Sequence, residues 1–242
     1  MRRCRSAVTS KLTTMAALGS TPGSPAQALQ EKPADPQAGF VAAVNGPENR
    51  PLLQRETIVA AARELVSTSG LEALSLRRLA STLGVTAPAL YAHVTDKNDL
   101  LRAVAEGEFD ELAARFEAVH VEDPIALIRA HGRAYLDYAR ENPALFRVMF
   151  LFPPNLRDGT EVAPDIELPA ATRVFAMATQ AITDAIDAGV LVVEDPLLTA
   201  LTLWAGMHGV AQILLLGFTM TREFEDALIA EVTDRLLAGY RP

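Results

Sequence analysis

The sequence predicts an all-α protein, and three observations lead there. Apolar residues recur at spacings of three and four, as in Ile58, Val59, Ala62, Leu65 and Val66, and no stretch alternates apolar and polar residues with period two. Leucine and alanine dominate over valine and isoleucine, the branched residues that favour strands. Proline and glycine fall mostly at the ends of the periodic segments, where helices start and stop. With 242 residues, 50% of them hydrophobic, the chain can bury one sizeable core or two modest ones.

Residues 1–49 mix Ser, Thr, Pro, Gly, Ala and Gln without helical periodicity, so they bury too little apolar surface to offset the entropy of ordering and are expected to form a disordered tail. Arg2, Arg3 and Arg5 ahead of a short apolar run imitate a secretion signal, but the run is much shorter than such a signal needs. A start at Met15 or a later codon is the other reading of this segment.

The first helix begins at Gln54 and stops at Ser69 and Gly70. Ser75 then caps "LRRLASTL", a helix of two turns that Gly84 ends in the left-handed conformation. Thr86 caps the next, with Pro88 in the first turn, where its missing N–H is no loss. Two short helices across a tight turn, with small Ala80 letting the Leu90 side approach, make a helix-turn-helix pattern. From the residues alone, an ordinary three-helix corner of a larger domain remains the alternative. A long helix follows from an Asp/Thr cap at 95–96 with Leu100, Leu101, Val104, Phe109, Leu112 and Phe116 on one side. Further helices are predicted over 124–140, 143–152, about 170–188, 196–218 and 222–237, with a mobile loop at 153–169.

Charge narrows the function. Residues 1–50 carry six basic and three acidic groups, 51–105 carry six and five, and the remainder carries ten and twenty-two. An acidic second half repels phosphate, so contact with nucleic acid is confined to the near-neutral part and should be salt-sensitive. There is no Gly-rich phosphate loop, no H-E-x-x-H and no nucleophile elbow, and His93, His120, His131 and His208 are scattered, so no enzyme is expected. The single cysteine, Cys4, cannot form an internal disulfide, and no Cys/His set has zinc-like spacing. A cytoplasmic protein without metal or cofactor is the plain expectation.

The run "LSLRRLASTLGVTAPALYAHVTDKNDLLRAV", residues 74–104, resembles the DNA-binding domain of tetracycline-repressor-like (TetR) transcriptional regulators, through its Gly-Val, Leu-Tyr-x-His-Val and Asp-Lys-x-x-Leu-Leu elements. Later, "WAGMHGV", residues 204–210, is similar to a Trp-x-x-x-His-Gly element of one subgroup's ligand-binding domain. The resemblance implies a DNA-binding domain over 50–98 and a helical effector-binding and dimerisation domain over 99–242. It further implies a homodimer on a palindromic operator in double-stranded DNA, with a small-molecule effector that releases it.

Carried over residue by residue, the recognition helix runs from Thr86 to about His93, Tyr91 and Lys97 approach phosphates, and Arg77 reaches a base, where an arginine can pair bidentately with guanine. Ser75 and Arg78 belong to the same DNA-facing set, although Arg78 also reads as a solvated helix-face charge and His93 as a ring packed near the next helix. Ala87 and Ala89 stand where many members place polar base readers. With Pro88 they suit thymine methyls, which leaves polar discrimination to Arg77, Thr86, His93 and DNA shape.

In the second half, Phe146, Met149, Phe150, Phe152, Phe175, Met177, Trp204 and Met207 suit either a plain core or a cavity for an apolar or aromatic effector. Tyr135, His131, His208 and Gln212 are the scarce polar contacts. Residues 196–221 contain no Asp, Glu, Lys or Arg and are long enough to cross a bilayer. Thr199, Thr202, His208 and Gln212 inside the stretch, and flanks without a basic cluster, favour instead a helix buried on nearly all sides, partly by a second subunit. Gly206 and Gly209 beside Ala205 permit close helix approach, and the last helix offers Phe224, Leu228, Ile229, Val232 and Leu236. Dimerisation through the last two helices is expected. The function expected is a sequence-specific DNA-binding repressor released by an effector. The alternative is a regulator-like protein that binds small molecules or proteins without specific DNA binding.

Overall fold

The computed structural model describes residues 53–152, 168–218 and 220–242. The expected tail and most of the expected loop, 153–167, lie outside the described residues. Among the described residues all regular structure is helical, so the predicted class holds.

Helix α1 (Arg55–Ser69) buries Ile58, Ala62, Leu65 and Val66, the periodic set that predicts it, and ends at Gly70. A single 3-10 turn, Leu71–Ala73, leads to α2 (Leu76–Leu83), whose Ser75 hydroxyl accepts the Arg78 N–H at 3.1 Å. Gly84 ends α2 with φ 65° and ψ 29°, a left-handed conformation that lets the Val85 N–H reach back to the Ala80 carbonyl at 3.0 Å. Helix α3 (Ala87–Tyr91) is one residue longer than a turn and stops short of the expected His93. Thr86 has the extended backbone of a cap, yet its side chain makes no capping hydrogen bond. The start of α3 therefore rests on the fixed φ of Pro88 and on Leu90, which is fully buried and contributes about 1.5–3 kcal/mol of apolar burial.

Asp96 caps α4 (Lys97–Glu117) by accepting the Asp99 N–H at 2.8 Å. The remaining helices are α5 (Pro124–Glu141), α6 (Pro143–Met149), α7 (Pro169–Asp187), α8 (Pro196–Leu215) and α9 (Arg222–Ala238). Helix α6 is shorter than expected. Helix α8 stops before Phe218 because Gly217 turns left-handed at φ 79°.

Two main cores result. The first joins Ile58, Ala62 and Val66 of α1, Leu79 and Ala80 of α2, Leu90 of α3 and Leu100, Leu101 and Val104 of α4. The second joins Phe109, Leu112 and Phe116 of α4 with Tyr135, Leu136 and Tyr138 of α5 and with residues of α6 to α9. Helix α4 enters the first core with one half and the second with the other. Helix α6 divides by face: Leu145 and Val148 belong to the first core, Phe146 and Met149 to the second. A smaller cluster of Ile128, Ile182, Leu191, Leu203 and Leu237 closes the far end.

Helix α8, with mean hydropathy 1.4, is long and apolar enough to cross a membrane. It buries one stripe, including Leu203, Met207 and Val210, while Leu198 and Ile213 stay exposed, so within the single chain it is not buried on all sides. Gly206 is where it meets α9: a methyl there would lie 2.5 Å from Leu236 Cδ1, whereas Gly209 has nothing within 4 Å. Ion pairs between Arg133 and Asp226 (2.5 Å) and between Arg140 and Glu225 (2.7 Å) stitch α5 to α9.

Candidate nucleic-acid interface and effector cavity

The expected DNA-facing residues separate by burial. Arg77, Arg78, Thr86, Pro88 and Tyr91 are exposed, and Tyr91 is 58% exposed, a large value for an aromatic ring. Lys97, the first residue of α4, is half-buried. Among the described residues no ion pair engages Arg77, Arg78 or Lys97; Arg78 reaches only the Ser69 hydroxyl, at 3.5 Å. Ser75 is exposed with its hydroxyl committed to the cap. Ala87 packs against the first core, so its methyl faces inward. Ala89 and His93, both half-buried, border a shallow cleft with Leu53, Arg55 and Ala92.

Arg55 is the residue that sequence reasoning missed here. Its guanidinium donates to the His93 carbonyl at 2.7 Å and to both carboxylate oxygens of Asp99, at 2.5 and 3.0 Å. Asp99 also accepts the Thr95 N–H at 2.8 Å. The fork ties the start of α1 to the end of α3 and the first turn of α4, and so fixes the angle at which α3 projects. The Arg55 hydrogen bond, opposed by burial, holds the Asp99 carboxyl below its ordinary range.

A second buried link lies deeper. Glu108 of α4 is 1% exposed, accepts from Arg63 Nε of α1 at 2.5 Å and from the Tyr138 hydroxyl of α5 at 2.5 Å. Burial first, then the Glu108 contact, pushes the Tyr138 hydroxyl far up, which keeps it a neutral donor.

Helices α4, α5, α7, α8 and α9 surround an apolar cavity that is partly open to solvent. Tyr135, Phe150, Phe175, Trp204, Met207 and His131 line it. Phe146 and Met149 are fully buried beside the cavity and are not among its lining residues. Phe152 and Met177 pack against the second core. His208 stands behind the wall, with Nδ1 2.7 Å from the Tyr135 hydroxyl and Nε2 3.1 Å from the side-chain amide of Gln212, which is exposed. Burial raises the Tyr135 hydroxyl and lowers His208, so a neutral phenol and a neutral ring share this hydrogen bond.

Residues 58–104 match the bacterial regulatory proteins of the tetR family, and residues 128–238 match the tetracyclin repressor-like C-terminal domain. An uncharacterized HTH-type transcriptional regulator of Mycobacterium tuberculosis is 30% identical over 190 residues, which span 77% of this chain and 81% of that protein. Among solved structures, a protein of unknown function from Rhodococcus sp. RHA1 aligns with a TM-score of 0.65 at 24% identity, over 82% of this chain and all of the other. A TetR protein of Acinetobacter baumannii in complex with minocycline aligns with a TM-score of 0.56 at 24% identity, over 77% of this chain and 96% of the other. The two matched regions and the helix-turn-helix of α2 and α3 agree, and the chain belongs to the TetR family of bacterial transcriptional regulators.

Proposed function

We propose that the protein is a sequence-specific DNA-binding repressor, homodimeric and cytoplasmic, that a small apolar or aromatic effector releases from its operator. The observation that carries the reading is the contrast between cations. Among the described residues Arg77 and Arg78 on α2 and Lys97 on α4, the helices flanking α3 in sequence, have no ion pair, while Arg115, Arg129, Arg133, Arg140 and Arg173 in the acidic half are each paired to a carboxylate. An unpaired cation next to an open helix is available to phosphate; a paired one is not.

Residues 50–98 form the DNA-reading part in this proposal, and 99–242 the effector and dimer part. With Ala87 turned inward, apolar contact with thymine methyls falls to Pro88 and Ala89, and polar readout to Arg77 and Thr86. Helix α6 carries the signal, because a guest that moves Phe150 at its end must move Leu145 and Val148 in the first core as well. The exposed Leu198, Ile213 and Phe224 on α8 and α9 supply the apolar face for a second subunit. The Acinetobacter protein, which shares this fold, was solved in complex with minocycline, a precedent for a drug-sized guest.

The test is recovery of genomic fragments by the purified protein, repeated with Arg77→Ala and Lys97→Ala. One enriched palindrome, lost in both variants, is the expected result. Equal recovery of all fragments would refute repression and leave the binder without specific DNA recognition.

A further inference from the structure

We infer that His131 is the polar recognition group of the cavity, and that the guest it accepts is an uncharged, largely hydrocarbon or aromatic molecule carrying a hydroxyl that hydrogen-bonds His131 Nδ1. The inference rests on the reading of the cavity as the effector site.

His131 lies on α5, is 8% exposed and lines the cavity, and its Nδ1 is buried with no hydrogen-bond partner. One face of the ring is covered by Phe116, stacked at 4.3 Å and 3°. Burial lowers the ring's proton affinity, which favours the neutral imidazole.

Two other polar side chains around the cavity are already engaged: Thr233 donates to the Ile229 carbonyl at 2.8 Å, and the Tyr135 hydroxyl meets His208 at 2.7 Å. No Lys, Arg, Asp or Glu is among the described lining residues, so nothing there compensates a charge on the guest. A buried polar atom without a partner is costly, and a guest hydroxyl, which can donate or accept, is favoured over a body without one.

The chain has one tryptophan, and Trp204 lines the cavity, so its fluorescence reports occupancy directly. The probes are para-tert-butylphenol, its methyl ether and tert-butylbenzene, which share a hydrocarbon body and differ in the polar group. The phenol is expected to quench Trp204 with an affinity about tenfold above that of tert-butylbenzene, and His131→Phe, which preserves the stacking on Phe116, should shrink the difference to about twofold or less. Equal affinities of the three probes for the unaltered protein would overturn the hydroxyl inference and leave the cavity as a plain apolar effector site. Failure of all three to perturb Trp204 up to their solubility limits would overturn both. The comparison within the unaltered protein does not depend on how the variant folds.

Discussion

Removing the guanidinium that faces Glu108 should destabilise the whole molecule by an amount the structure sets. Glu108 is 1% exposed and leans on two donors, Arg63 and Tyr138, from helices on either side of it. Arg63→Met keeps the aliphatic stem and leaves a buried carboxylate without its cation. Breaking a fully buried pair costs about 3–5 kcal/mol, and because the Arg63 side chain is 46% exposed, water replaces part of the loss, so about 2 kcal/mol is expected. For a chain of this size that is a fall in Tm of roughly 4–8 °C. Tyr138→Phe removes one hydrogen bond to a charged group and should cost about 1.5 kcal/mol. Adding Glu108→Leu to Arg63→Met removes the stranded charge and should restore much of the stability. Urea unfolding followed by far-UV circular dichroism measures all three. An Arg63→Met variant within about 0.5 kcal/mol of the parent, or a double variant weaker than the single, would refute the reasoning.

Gly206→Ala places a methyl 2.5 Å from Leu236 Cδ1 and 3.1 Å from Val232 Cγ1, so the Leu236 side chain must repack; a loss of about 1–3 kcal/mol and a weaker dimer in sedimentation velocity are expected. Gly84→Ala meets no atom within 4 Å but must adopt φ 65°, which costs about 1–2 kcal/mol and loosens the α2–α3 turn, read as lower Tm together with weaker operator binding. Burial lowers both His131 and His208 from the ordinary 6.5, so the unfolded chain binds protons more readily than the folded one. Stability should therefore be full above pH 6.5 and fall as the pH drops below it. A thermal-melt series between about pH 8 and pH 5 checks this, and His131→Phe should flatten part of the decline.

The helix-turn-helix is legible because its signals are local. Ser75, Gly84 and Pro88 each act on backbone within a turn of themselves, and the positions of α2 and α3 follow from them. Thr86 misled only in detail, since its backbone takes the cap conformation while its hydroxyl does not bond. Long-range pairings are a different matter. Arg55 meets Asp99 and Arg63 meets Glu108 across more than forty residues, and nothing local tells one carboxylate from another. Glu108 alone left a trace: it shares the apolar side of α4 with Leu101, Ala105 and Leu112, an odd place for a charge. In the cavity, the aromatic content pointed to the right helices, but Phe146 sits in the middle of α6 and faces the core. Phe150, just past the helix end at φ −101° and ψ 15°, turns instead to the cavity. Periodicity cannot distinguish them because the helix stops between them.

Hydroxyl-radical footprinting on the enriched duplex tests whether α3 of each of two subunits enters a major groove. Two protected patches related by the palindrome's symmetry, centred about 10 base pairs or a multiple of that apart and lost together in Arg77→Ala, are the expected result. A single patch without symmetry, or protection indifferent to Arg77, would contradict it.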